Sequence, residues 1–230
     1  MIEKIDNSQI VDMTKIPDGP VGIRLQGKVM IAVPSRNNSW WSDFGLSLAA
    51  MTAATAYEAP NVSMVLDNTF GTGLAMNRIK LCKAAISRGC THVLFLDDDM
   101  RIPMHTLMVL LAHGKDIIAA NCSRKELPPR SNSKNFDGNC VWTRKKDTRL
   151  EEVRSTGTAV MLIRTDMLAK LPQPWFCEDP VKEIGEDVYF CNLARDHGYK
   201  IWIDHDISKD VIHMGGFEFC HQLREEWDAA

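Results

Sequence analysis

Three adjacent carboxylates, Asp97-Asp98-Asp99, directly follow the apolar run at residues 93–96. Like charges a few ångströms apart repel, and burial at a strand end adds a desolvation cost. Hard divalent cations such as Mg²⁺ and Mn²⁺ prefer oxygen ligands and can bridge a carboxylate to a diphosphate. The Asp97-x-Asp99 spacing therefore indicates a metal and nucleotide site, and a solvated acidic turn or helix N-cap is the alternative explanation.

Four further segments of the chain carry polar or charged side chains. They are Pro34-Ser35-Arg36, Arg78, Glu186-Asp187 and His213. Each also has an ordinary structural explanation. An arginine on a helix often forms a surface ion pair, an acidic pair at a helix start is stabilised by the helix dipole, and a lone histidine is often a satisfied core residue.

Apolar runs and helical periodicity alternate along the chain. Strands are predicted at residues 29–33, 62–66, 91–96, 116–120, 157–163 and 199–203, and helices at residues 41–57, 74–86, 103–112 and 186–197. Residues 123–154 read as a polar loop. This alternation predicts an α/β fold, a single Rossmann-like domain with a mostly parallel sheet flanked by helices, and ligands at the carboxyl ends of its strands.

The length of 230 residues fits one hydrophobic core. We divide the chain into an N-terminal extension at residues 1–27, a main domain at 28–216 and a C-terminal helical tail at 217–230. The tail has an amphipathic pattern and could cap the domain or form a homodimer contact. The side chains of this pattern are Phe217, Cys220, Leu223, Arg224 and Trp227.

Residues 1–18 mix charges with isolated aliphatics, and they match neither a signal peptide nor a membrane span. Seven cysteines form no CxxC pair, and this odd number favours reduced thiols over a disulfide framework. These features predict a cytoplasmic protein that has no contact with a membrane.

Residues 121–154 carry nine Lys or Arg against five acids, a net charge of +4, so the rest of the chain carries −7. A solvated loop explains such a run without any polyanionic partner. With Trp142 among its basic residues, the segment could instead bind DNA and present a hydroxymethylated base, since base-modifying enzymes must extrude their target. A mobile acceptor loop that closes over a donor would have the same composition.

The run Val93-Leu94-Phe95-Leu96-Asp97-Asp98-Asp99-Met100 resembles the DxD motif of GT-A glycosyltransferases, in particular the inverting family 2 type. Other segments resemble that family in the same order across residues 28–215, and the strength of the resemblance lies in this ordered set. They are the loop Pro34-Ser35-Arg36, the helical pair Asn77-Arg78, the acidic motif Gly185-Glu186-Asp187 and the late histidine His213.

The resemblance implies a transfer of sugar from a nucleotide diphosphate donor, most commonly a UDP-sugar, to an acceptor hydroxyl. It implies that Mn²⁺ or Mg²⁺ is bound by Asp99 and His213, and that Asp97, the third metal residue, contacts the metal through water or contacts the ribose. It implies Asp187 as the general base and Glu186 as the fallback. The implied donor contacts are Pro34, Ser35, Arg36, Arg78, Asp97 and Asp98.

Other readings of the same carboxylates stay open. A metal-dependent nucleotidyltransferase would use a similar site, and a GT-A-like module without catalysis could bind sugar nucleotides. A phosphatase of the haloacid dehalogenase type fits worse, because Met100-Arg101 follow the aspartates and several elements precede them. Gly71-Thr72-Gly73 is not followed by the GK[ST] of a P-loop, which excludes that motif.

Overall fold

A seven-stranded sheet forms the centre of the computed structural model, which describes residues 25–37, 39–71 and 73–229. The strands are β1 (Gly27–Pro34), β2 (Val62–Thr69), β3 (His92–Leu96), β4 (Met100–Arg101), β5 (Ile117–Ala120), β6 (Leu150–Val153), β7 (Val160–Arg164), β8 (Ile201–Asp204), β9 (Ile212–Met214) and β10 (Glu218–Phe219). The helices are α1 (Ser42–Glu58), α2 (Leu74–Ser87), α3 (Thr106–Ala112), α4 (Thr165–Leu168), α5 (Glu186–Asp196), α6 (His205–Ser208) and α7 (His221–Ala229).

The order of strands in the main sheet is β2-β1-β3-β7-β5-β8-β6. Strands β1, β2, β3, β5 and β8 run in one direction, whereas β6 and β7 are antiparallel to their neighbours. A small second sheet has the order β10-β9-β4. The molecule is thus a single Rossmann-like α/β domain with a mostly parallel sheet flanked by helices, and this confirms the predicted fold class.

Both faces of the sheet are buried, as is usual for parallel strands that helices cover. Val93 and Phe95 of β3 belong to a core shared with α2 and α5. Leu94 and Leu96 of the same strand belong to a second core with α1 and α3. The period of two along a strand therefore explains why an unbroken apolar run was needed here.

Several predicted boundaries differ from the observed ones. The third helix begins at Thr106 rather than at Pro103, because Pro103 starts a turn in which its carbonyl accepts from the Thr106 backbone NH at 3.1 Å. The predicted polar loop at residues 123–154 contains β6, so the prediction of a continuous loop was wrong. Within residues 217–230 the short strand β10 precedes α7. The predicted N-terminal extension lies almost entirely outside the described residues.

None of the helices in the described part of the chain combines the length and the apolar character needed to cross a membrane. The seven cysteines, all of which lie in that part, are unpaired thiols. Burial raises the pKa of Cys82 and Cys122 far above the ordinary value of 9.0, so both stay protonated at neutral pH.

An aromatic stack joins β3 to α5. The rings of Phe95 and Phe176 meet edge to face at 5.7 Å, and Phe176 stacks on Phe190 of α5 at 4.8 Å. All three side chains are fully buried. Because Asp97 follows β3 and Glu186 begins α5, this stack fixes two of the acidic segments relative to each other.

We expect Phe176→Ala to lower the free energy of unfolding by about 3 to 5 kcal/mol, since it removes a buried ring from between two others. The measurement is urea denaturation followed by tryptophan fluorescence. Phe176→Leu serves as the control and should cost less, because it keeps most of the apolar volume. Equal losses in the two variants would contradict a specific role for the stack.

Candidate active site

A cavity of about 690 Å³ opens at the carboxyl ends of β1 and β3. A site at this edge of the sheet was expected from the α/β topology. The lining residues are Pro34, Arg36, Asn37, Ser39, Trp40, Trp41, Leu74, Asp97, Asp98, Asp99, Lys125 and His213. Six residues predicted from separate segments are therefore brought together in one cavity: Pro34, Arg36, Asp97, Asp98, Asp99 and His213.

Backbone hydrogen bonds fix the turn that carries the three aspartates. The bonds are Asp97 N to Ala159 O at 2.9 Å, Trp41 N to Asp98 O at 3.1 Å, and Met214 N to Asp99 O at 2.7 Å. The turn is thereby tied to the residue before β7, to the N-cap of α1 and to β9. Three separate parts of the chain must fold before the carboxylates reach their positions.

Strand β9 places His213 beside Asp99. It pairs with β4 so that His213 lies opposite Met100, the residue after Asp99. The Nδ1 atom of His213 lies 2.9 Å from the Ser123 carbonyl oxygen, which can only accept, so Nδ1 carries the proton. In the neutral ring this leaves the Nε2 lone pair facing Asp99 Oδ1, 3.3 Å away.

The surroundings of Asp99 favour its ionised form. Burial raises the pKa of Asp99, but the attraction of His213 and Lys125 outweighs this effect and lowers the pKa to about 2. Among the described residues, Oδ1 of Asp99 is nevertheless a buried atom without a hydrogen bond of normal geometry. Oδ1 of Asp99 and Nε2 of His213 thus face each other, and only a proton on Nε2 or a bound cation makes this contact attractive.

This pair fits a divalent cation in the types of its donor atoms. A metal-bound histidine usually donates its other ring NH to a carbonyl or carboxylate, as His213 does to Ser123. The fit covers two ligands, Asp99 and His213. In the part of the chain that the structure describes, no three or more His, Cys, Asp or Glu side chains are grouped closely enough to hold a metal ion.

Arg78 holds the third predicted metal ligand, Asp97. Its guanidinium donates to Asp97 Oδ1 at 3.0 Å and also to Glu186 Oε1. Arg78 is only 2% exposed and lies behind the cavity rather than on its lining, so the structure places it in an ion-pair bridge and not at the cavity wall. Burial raises the pKa of Asp97, and the charge of Arg78 opposes that shift.

Ser35 supports the cavity from below. It is fully buried and is not part of the lining. Its Oγ accepts from Trp40 Nε1 at 3.2 Å and donates to the Asp98 carboxylate, while its carbonyl accepts from Asn77 Nδ2 at 3.1 Å. Burial raises the pKa of Asp98, and the Ser35 hydrogen bond opposes that rise. Of the predicted loop Pro34-Ser35-Arg36, only the outer two residues reach the cavity.

Glu186 and Asp187 have different surroundings although they are adjacent. Glu186 is engaged by Arg78, whereas Asp187 accepts a local bond from the Val188 backbone NH at 2.7 Å. Burial, and then the negative charge of Glu186, raise the pKa of Asp187 above its ordinary value of 3.8. Neither side chain lines the cavity, and Arg78 connects Glu186 to it through Asp97.

Several residues of the cavity were not predicted from the sequence, and Trp40, Trp41 and Lys125 among them could bind a ligand. Trp40 and Trp41 are 37% and 45% exposed, and the doublet after a polar loop was the signal that could have revealed them. Lys125 places its Nζ 2.5 Å from Asp99 Oδ2 and 5.7 Å from the centre of the Trp41 ring. Only its position shortly after the carboxyl end of β5 could have pointed to Lys125.

The basic segment does not present Trp142 as a free ring. Trp142 meets His221 edge to face at 5.9 Å, and the Arg224 guanidinium lies 5.2 Å from its centre. The ring therefore packs against α7. Arg130 is likewise paired with Glu126 at 2.6 Å. DNA binding remains a prediction, and it loses the aromatic residue on which it was based.

No protein-family model and no curated protein matches the chain. Among solved structures 127 chains match. One of them is A197 from STIV, with 18% sequence identity, a TM-score of 0.55 and coverage of 82% of this chain and 86% of the other. At this identity the likeness shows the Rossmann-like α/β fold alone, because one fold hosts many unrelated functions.

We expect Glu186→Ala to lower the free energy of unfolding by about 3 kcal/mol, because it leaves the buried Arg78 with one carboxylate partner instead of two. Chemical denaturation measures this loss. Glu178→Ala removes an exposed glutamate from the preceding segment and should change stability by no more than about 0.5 kcal/mol. A loss no greater than that of the control would show that the Arg78 bridge contributes nothing.

Asp187→Asn should raise the thermal midpoint at neutral pH. The pKa of Asp187 is raised by folding, so its contribution to stability is favourable below the unfolded value of 3.8 and is lost as the pH rises through the folded pKa. Asparagine avoids the cost of the buried charge and still accepts from Val188. Scanning calorimetry should show the gain shrinking as the pH falls toward 3.8. A midpoint at neutral pH equal to or below that of the native protein would refute this account.

Proposed function

We propose that this chain is a metal-dependent glycosyltransferase of the GT-A type that transfers a sugar from a nucleotide diphosphate donor to an acceptor hydroxyl. One observation carries the proposal: Arg36, the three aspartates and His213, from three distant parts of the sequence, line a single cavity. Its volume of about 690 Å³ is in the range of small-molecule sites. Three of the five segments on which the resemblance to that family rests contribute to this lining, in the same order along the chain.

Asp99 and His213 are the residues that would hold Mn²⁺ or Mg²⁺. The closeness of Asp99 Oδ1 to His213 Nε2, and the contact of His213 Nδ1 with the Ser123 carbonyl, support that assignment. A bound divalent cation would supply neutralisation of the charge that develops on the leaving diphosphate. Asp97 is engaged by Arg78, so we assign it to holding the turn and contacting the donor rather than to direct coordination.

Several side chains of the cavity suit a nucleotide sugar. Arg36 brings a planar cationic fork that can bind phosphate oxygens. The exposed faces of Trp40 and Trp41 offer surfaces on which a base or a sugar ring can pack. We therefore propose a UDP-sugar as the donor class, with its diphosphate toward Asp99 and its base toward the tryptophans.

Asp187 is the proposed general base, as the resemblance implies; because it lies outside the lining of the cavity, this role requires the acceptor to approach from the side of the α5 N-terminus. In this role it takes the proton of the acceptor hydroxyl while the acceptor oxygen attacks the anomeric carbon and the bond from that carbon to the diphosphate breaks. A single displacement of this kind inverts the configuration. The raised pKa of Asp187 makes it a stronger base than an ordinary aspartate, whereas Glu186 is neutralised by Arg78. We therefore prefer Asp187 and assign Glu186 to positioning α5.

The acceptor is proposed only as a molecule with a hydroxyl group. A hydroxymethylated DNA base was one candidate, but Trp142 is half-buried against α7, which weakens its suitability for stacking an extruded base. A nucleotidyltransferase could use the same hydrogen-bond donors and carboxylates of the cavity. It would release pyrophosphate from a nucleoside triphosphate, whereas a glycosyltransferase releases a nucleoside diphosphate from a sugar nucleotide.

The purified protein with Mn²⁺ should slowly hydrolyse a UDP-sugar, and Asp99→Ala should reduce the rate by roughly 100-fold or more, the scale on which a group stabilising the leaving charge acts. Released UDP is the readout, over a panel of UDP-sugars. Asp137→Ala, which removes an exposed aspartate, is the matched control and should leave the rate unchanged. Full turnover in Asp99→Ala would contradict the proposed function.

A further inference from the structure

Lys125 lies beside the carboxylate cluster that lines the cavity. Its Nζ lies 2.5 Å from Asp99 Oδ2, on the carboxylate whose other oxygen faces His213. The same ammonium lies 5.7 Å from the centre of the Trp41 ring, whose π face also attracts a cation. Two independent contacts therefore hold this cation at the carboxylate cluster.

Arg78, the buried cation of the cluster, already pairs with two carboxylates. Arg78 is 2% exposed and bridges Asp97 to Glu186, so it cannot turn toward Asp99 without breaking that bridge. Lys125 differs because its side chain is 31% exposed and begins on the segment between β5 and β6. Its long stem can swing while the backbone stays in place.

An ammonium and a divalent cation cannot both be bound closely by Asp99. They would compete for the same charged carboxylate and repel each other at short distance. A diphosphate in the cavity offers the displaced ammonium a new anionic partner at the same site. Binding of the metal ion and binding of the diphosphate would each require the contact between Lys125 and Asp99 to break. Once one ligand has broken it, the other would bind without that cost.

We propose that Lys125 is a built-in counter-cation of Asp99 that a divalent metal ion displaces, and that the displaced ammonium then binds the donor diphosphate. This makes the binding of metal and of diphosphate cooperative. The inference rests on the proposed function and adds an order to it: metal alone binds weakly, and metal with a nucleoside diphosphate binds well. Such coupling is reciprocal, so each ligand strengthens the other by the same factor.

The test is a titration of Mn²⁺, followed by the electron paramagnetic resonance of free Mn²⁺, with and without UDP. In the native protein UDP should tighten Mn²⁺ binding. In Lys125→Met, Mn²⁺ alone should bind about tenfold more tightly than in the native protein, and the gain from UDP should shrink by a similar factor. Lys125→Arg keeps a cation on the segment and should behave more like the native protein than like Lys125→Met.

Two further variants separate the outcomes. Lys146→Met removes an exposed lysine from the same basic segment and should leave Mn²⁺ binding unchanged, which controls for net charge. Asp99→Asn should abolish Mn²⁺ binding. Unchanged Mn²⁺ affinity in Lys125→Met, with binding lost in Asp99→Asn, would overturn the role of Lys125 and leave the proposed function standing. Absence of Mn²⁺ binding to the native protein both with and without UDP would overturn both.

Discussion

Negative charge at the end of β3 is the constraint around which this part of the molecule is organised. Asp97, Asp98 and Asp99 follow one another directly, and each is drawn to a different neighbour. Arg78 holds Asp97, the Ser35 hydroxyl holds Asp98, and Lys125 with His213 faces Asp99. The three carboxylates therefore have three different sets of neighbours.

The same constraint explains why the site draws on so much of the chain. Arg78 forms ion pairs with both Asp97 and Glu186, and so couples the end of β3 to the start of α5. Beneath that bridge, the stack of Phe95, Phe176 and Phe190 couples the same two elements through apolar contact. The ion pairs and the aromatic packing therefore join the same two elements.

The unequal treatment of adjacent acids is informative about function. Glu186 has a strong partner, and Asp187 is left in a place where ionisation is unfavourable. A buried carboxyl group with a raised pKa is common at acid and base sites, and this supports the role proposed for Asp187. The likeness to A197 from STIV does not add to this point, because it concerns the fold. The case for catalysis rests on the side chains themselves.

The sequence alone determined the strands and helices of the first half and the polar residues at their ends. Apolar runs such as that of β3 can be recognised in the sequence because successive side chains are buried on opposite faces of the sheet. Strand β6 could not be predicted in this way, because it lies at the edge of the sheet and carries Glu151 and Glu152. Only the tertiary structure decided that Arg78 bridges two carboxylates, that Lys125 reaches Asp99 and that Trp142 is packed away. These are contacts between residues 19 or more positions apart, and local patterns carry no information about which distant partner a charge or a ring will meet.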